Sequence, residues 1–381
     1  MALLFQIPPE FTLHSDRLHP ASIAALAEKA QDIDREIEID LPLFANFLNE
    51  HKAIFQSDPE GSYLAVKALV ISGKLSAAID WEAHRDHPGT KGYRALALLL
   101  AGKSKEAKRL FTSALEYLKI SGESFLALEV LGLYMFFQTA TRQREEALDT
   151  FYQAMAIHKS NPGSEVDAVI PWVLTRAAYA LRAKGELDAA QKLNNQALSY
   201  ADLSGNRLLQ ALALLGIGMC LESSRNSNQA LDFYERALDL CEEIGADAFS
   251  PMILNRMGMV LGSLGRVEEA EQTFEAAVTL ARQSGAHWLE FGPLGNLASI
   301  HGARGDFEGA LKAYIYARDC ANSFGDLQDE MWFSITIGNL LQRLGRPQEA
   351  HQSFKQAKKL AEQLGFAVIF QERESNSNGI Q

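Results

Sequence analysis

Gly258-Met-Val-Leu-Gly-Ser-Leu-Gly265, continued by Ala270-Glu-Gln-Thr-Phe274-Glu-Ala-Ala277 and closed by Gly285, is one of five variants of a single phrase between Arg176 and Gly365. Ala190, Ala230, Ala270, Ala310 and Ala350 stand 40 residues apart, and Gly205, Gly245, Gly285, Gly325 and Gly365 follow them by 15. Each alanine opens a frame A-x-x-x-aromatic-x-x-A, as in Ala230, Tyr234, Ala237 and Ala310, Tyr314, Ala317; in the first copy Asn194 replaces the aromatic. Twelve residues before each alanine stands a small residue: Ala178, Gly218, Gly258, Ala298 and Gly338. Spacings of three and four residues belong to helices, and the interposed Gly185, Gly265, Gly305 and Gly345 mark turns. The phrase therefore predicts a helix (A), a tight turn and a second helix (B), with turns near residues 73, 102, 142, 185, 225, 265, 305 and 345.

On these residues the chain resembles the tetratricopeptide repeat, a two-helix unit with a small residue, an A-x3-F step and a second alanine. The resemblance implies an all-α fold, a right-handed α-solenoid of about eight helix-turn-helix units. The small residues let helices cross closely, and the aromatic is expected to fill the space between neighbouring repeats. The usual proline after helix B is absent, and the helix runs on to a glycine C-cap, as in Leu280-Ala-Arg-Gln-Ser-Gly285. This 40-residue variety is similar to the repeats of kinesin light chain, of G-protein-modulating scaffolds and of the maltose-regulon activator.

At 381 residues the length suits one continuous array, since a solenoid stacks units without closing a single core. The 36 basic and 48 acidic residues give a net charge of −12, which argues against nucleic acid as a partner. No apolar run approaches the ~20 residues of a membrane helix, and the first residues lack a basic leader, so a cytoplasmic protein is expected. Cys220, Cys241 and Cys320 lack metal-ligand spacing and read as small apolar fillers within helices.

Residues 1–19, with Pro8 and Pro9, are expected to form an extended arm, and residues 20–60 helices that cap the array. Residues 61–163 hold three irregular units. The first has Glu82 and Arg85 where the frame expects the aromatic and second alanine, and its alanine, Ala78, precedes Ala107 by only 29 residues, so the intervening helix must be short. Residues 164–365 hold the five regular units, entered through Asn161-Pro-Gly-Ser164, a candidate bend or weak subdomain boundary. Residues 366–381 are an apolar plug, Phe366-Ala-Val-Ile-Phe370, and a polar tail; the plug either caps the array or joins two copies as a homodimer. Each unit is expected to touch mainly its neighbours, so that damage stays local. Pro251 should sit in the first turn of its helix, and Pro293 should kink or delay the start of its own.

No nucleophile, phosphate-loop or metalloprotease signature occurs, so no catalytic residue, cofactor or metal is assigned and an enzyme is not expected. His84-Arg-Asp-His87 offers too few ligands for a metal and reads as a polar helix end. His301 stands where Leu181, Leu221, Leu261 and Leu341 do and reads as a packing histidine. The chemistry that remains is binding. In tetratricopeptide repeats helix A lines the concave surface, and the resemblance carries that role to Trp172, Arg176 and Tyr179, then Met219, then Met252, Asn255, Arg256 and Met259. Asn296 and Ser299, then Trp332 and Asn339, continue the line. Methionines and aromatics give adaptable apolar contact, asparagines pair with peptide backbone, and the arginines would meet acidic side chains. The expected function is a scaffold or adaptor holding a peptide or partner protein in the groove. The alternative is a sensory module whose ligand controls an output partner.

Overall fold

The computed structural model describes residues 52–82 and 87–364. A short helix α1 (Lys52–Ser57) precedes the paired helices, in which each helix A is followed by its helix B. The pairs are α2 (Pro59–Ile71) with α3 (Leu75–Ile79), α4 (Pro88–Leu100) with α5 (Ser104–Ser121), and α6 (Ser124–Ala140) with α7 (Arg144–Ser160). Next come α8 (Ser164–Ala183) with α9 (Leu187–Ser204), and α10 (Arg207–Ser223) with α11 (Ser227–Glu243). The last three are α12 (Ser250–Ser263) with α13 (Val267–Ser284), α14 (Phe291–Ala303) with α15 (Phe307–Phe324), and α16 (Leu327–Arg343) with α17 (Pro347–Gln363). Among the described residues no strand occurs, and no helix is long and apolar enough to cross a membrane. The arm, most of the expected capping segment, His84, Gly365 and the Phe366–Phe370 plug lie outside the described residues.

The turns fall on the expected residues, and all have the left-handed conformation: Gly73, Gly102, Gly185, Gly265, Gly305 and Gly345, with Arg142 and Arg225 in the remaining two. Each is a Schellman closure, in which the amide after the turn residue reaches back five residues to a helix-A carbonyl, as Arg266 N to Leu261 O at 3.0 Å. His301 supplies that carbonyl to Asp306 N at 3.0 Å, while its imidazole stays half-exposed, 3.3 Å from Asp306. The packing role expected of its side chain is replaced by a contact with the carboxylate of its own turn.

The frame aromatic lies against the glycine of its own helix A. A Cβ on Gly218 would come 2.5 Å from Tyr234, and one on Gly258 equally close to Phe274. The same ring also meets the following unit, as Tyr314 meets Phe333 with centroids 6.0 Å apart. The aromatic therefore cements the crossing within a unit as well as the seam between units.

The prolines act by position. Pro251 is in the first turn of α12. Ahead of Pro293 the chain makes a 3-10 turn at His287–Leu289, and α14 starts only at Phe291. Pro171 instead sits inside α8, which runs unbroken over 20 residues. The short α3, five residues long, absorbs the shortened interval between the first two units.

The array does not extend as an open ribbon. The link between α11 and α12 returns to the first unit, where Ala248 N meets Ile71 O at 3.4 Å, and Phe249 packs on Trp172. Ser104 Oγ donates to Phe324 O at 2.7 Å across 220 residues of sequence. Arg142 Nε pairs with Asp326 at 3.1 Å and its Nη2 with Asp329 at 2.8 Å. Phe136, Trp288 and Phe324 form a continuous aromatic contact, with centroids 5.9 and 5.2 Å apart. One hydrophobic cluster consequently reaches from Phe55 to Phe324. Beyond the neighbour contacts expected to dominate, the superhelix winds tightly enough for the third unit to touch the eighth.

Candidate ligand-binding cavity

Winding the A helices inward encloses a concave cavity of about 600 Å³, walled by α6, α8, α10, α12, α14 and α16. From α8 come Arg176 and Tyr179, and from α10 Met219. Met252, Asn255, Arg256 and Met259 project from α12, Asn296 and Ser299 from α14, and Trp332 from α16. Two of the expected residues lie elsewhere. Trp172 is only 2% exposed, packed over Gly132 of the preceding unit and against Phe249, so it belongs to the core. Asn339 is exposed on α16 outside the cavity wall.

The wall also contains residues that the repeat frame does not single out. Phe136 and Arg144 come from the irregular third unit, Trp288 from the 3-10 turn, and Asp326 and Asp329 from the start of α16. Their signal is missing from the frame because the third unit departs from the 40-residue period, and because Trp288, Asp326 and Asp329 stand ahead of the helix-A positions that the frame turns inward. Asp326 caps α16 by accepting from Asp329 N at 3.0 Å, so a helix end presents the carboxylate that Arg142 grips. Burial and the neighbouring Asp326 push the Asp329 carboxyl up, against the pull of Arg142.

The charged residues of the wall are mostly cationic: five arginines, Arg142, Arg144, Arg176, Arg182 and Arg256, face two aspartates. Arg142 is matched by both aspartates, and Arg256 lies 3.7 Å from Glu222. Arg182 stacks over Tyr179 and donates to Ser223 Oγ at 3.3 Å. Arg176 is 7% exposed and lies over the Phe136 ring, 4.9 Å from its centroid. Burial pushes its guanidinium down to about 10, with Tyr179 acting in the opposite direction. Several buried polar atoms on this wall have no protein partner: the Nε of Arg144, Arg176 and Arg182, Trp288 Nε1 and Asn194 Oδ1. Asn296 Nδ2 donates to Asn255 Oδ1 at 3.1 Å, and Ser299 Oγ bonds the Tyr314 hydroxyl at 2.6 Å.

The cysteines take no part in the cavity. Burial raises the Cys241 thiol to about 12 and that of Cys320 to about 11, so both stay protonated at neutral pH.

Comparison with known proteins places this geometry in a class. A tetratricopeptide-repeat profile matches residues 169–243 and 290–363, and a second profile of the same repeat matches 253–284. By these profiles the helices within residues 169–243, 253–284 and 290–363 are tetratricopeptide repeats, and the described helices as a whole pair as an all-α helix-turn-helix solenoid. The crystal structure of a Rap protein complexed with Competence and Sporulation Factor superposes with a TM-score of 0.59 at 13% identity, covering 91% of this chain and 99% of that one. The apo form of RapI gives 0.48 at 15% identity over 73% of this chain and 98% of its own. BtubC (BKLC) from P. vanneervenii gives 0.48 at 19% identity, over 59% of this chain and 92% of its own. No curated protein matches the chain by sequence.

Proposed function

We propose that the chain is an adaptor that holds a short peptide, or an extended segment of a partner protein, in the concave cavity. The observation that carries this reading is the make-up of one wall. Met219, Met252 and Met259 and the rings of Tyr179 and Trp332 offer adaptable apolar contact beside the linked amides of Asn255 and Asn296. Their mutual hydrogen bond leaves Asn255 a donor and Asn296 an acceptor, the pair a peptide unit requires. A cavity of about 600 Å³ has the size of a site that encloses most of a short ligand. A Rap protein of similar fold was solved complexed with Competence and Sporulation Factor, which is in keeping with a ligand inside such a winding.

The test is capture of a labelled random pentapeptide pool by the full chain. Replacing Asn255, Arg256 and Asn296 together by alanine should lower retention at least about tenfold, with helicity and melting temperature nearly unchanged. A control at Lys192 and Asn195, exposed on the outer helix α9, should bind as the parent does. Parent-level capture by the triple variant would move the ligand out of the cavity.

A second reading, a sensory module, is favoured by the clasp of Arg142 with Asp326 and Asp329. These residues join the third unit to the eighth and also belong to the wall, so a ligand that touches them would bias the winding of the whole array.

A further inference from the structure

Arg176 is a buried cation to which the protein brings no counter-charge: among the described residues no carboxylate forms an ion pair with it. The Phe136 ring beneath it offers a cation–π contact, which is weaker than an ion pair. Its pKa near 10 leaves it charged at neutral pH, so the fold carries an uncompensated charge facing a cavity. The Nε atoms of Arg144 and Arg182 and the Nε1 of Trp288 are further unpaired donors on the same wall. The two aspartates of the wall are held by Arg142 and so do not neutralise the others. This cationic interior sits in a chain of net charge −12. At physiological salt charges beyond ~8 Å of solvent are screened, so the nearby arginines outweigh the distant acidic surface.

Building on the reading of the cavity as a peptide site, we propose that its ligand is an anionic peptide whose carboxylate is received by Arg176 at the Phe136 end. The apolar rest of the wall takes the peptide's other side chains. An acidic side chain and a peptide C-terminus present the same carboxylate, and the two sources are separated by the probes.

The experiment titrates the full chain with four pools of fluorescent pentapeptides, identical at all other positions. One pool has Glu and an amidated end, one Gln and a free carboxylate, one Gln and an amidated end, one Lys and an amidated end. At least one carboxylate pool should bind about tenfold more tightly than the neutral Gln pool, and whichever does so identifies the carboxylate source. The Lys pool should bind most weakly. Arg176→Met should bring carboxylate and neutral pools to equal affinity while neutral binding persists, and Arg176→Lys should restore part of the preference. Equal binding of all pools by the parent chain, or preference for Lys, would overturn the carboxylate assignment and leave the peptide site standing. Retention of the preference in Arg176→Met would do the same. Binding of no pool would overturn the peptide site and this inference together.

Discussion

At the scale of single residues, the cavity carries charge at the expense of the fold. Burial holds the Arg176 guanidinium down to about 10, well below its ordinary value. A base with a depressed pKa penalises the fold while it is charged, that is below pH 10, and the penalty is relieved as pH rises between these values. Arg176→Met should therefore stabilise the ligand-free chain by up to roughly 3 kcal/mol, less the lost ring contact, measured by urea unfolding at neutral pH. A loss of stability would mean that the guanidinium is satisfied by groups of the protein itself. Glu129 shows the opposite arrangement. It is fully buried in α6, accepting from the Tyr93 hydroxyl at 2.9 Å and Lys67 Nζ at 3.1 Å, with the Tyr63 hydroxyl on its other oxygen. Glu129→Leu strips three donors of one acceptor and should cost roughly 3 kcal/mol in the same assay. The two residues are equally charged and equally hidden in sequence; only the distant partners brought by folding separate a structural ion from one left for a ligand.

Among the elements, the repeat frame made the pairing of helices legible because its constraints are local. A left-handed turn residue is needed between helices A and B, and the period locates it at Arg142 and Arg225 even where glycine is missing. Both arginines adopt that conformation at some strain, so Arg225→Gly should stabilise the array by about 0.5–1 kcal/mol in thermal melts, whereas an unchanged or lowered midpoint would contradict the account. Gly258 is under the reverse constraint, since its missing Cβ makes room for Phe274. Gly258→Val should overpack that crossing and cost about 1–3 kcal/mol. The inward face of helix A was legible for the same reason, as the positions of Met219, Asn255, Asn296 and Trp332 show. Trp172 occupies the equivalent frame position to Trp332, yet it fills the hollow over Gly132, a glycine in helix A of the preceding unit whose effect the frame cannot register.

For the whole molecule, the decisive feature was illegible. Arg142 and Asp326 are 184 residues apart, and no periodicity predicts that the pitch brings them together. Closure changes how the array should fail. Removing the guanidinium in Arg142→Ala leaves Asp326 and Asp329 facing one another, and should cost about 1–2 kcal/mol after allowing for the partial exposure of Arg142. Amide exchange should then accelerate both around Ser104 and around Phe324, two regions remote in sequence, while the outer helices stay protected. Acceleration confined to the third unit would restore the picture of independent neighbours.

The central claim, that the wound A helices enclose a ligand site, is tested most directly by photo-cross-linking. Pentapeptides carrying a photoreactive side chain are irradiated with the full chain and the adducts mapped by mass spectrometry. The account predicts adducts on α8, α10, α12 and α14, at residues such as Tyr179, Met219, Met252 and Asn296, competed away by the unlabelled peptide. Adducts concentrated on the outer helices, around Lys192 and Asn195 of α9, would contradict it.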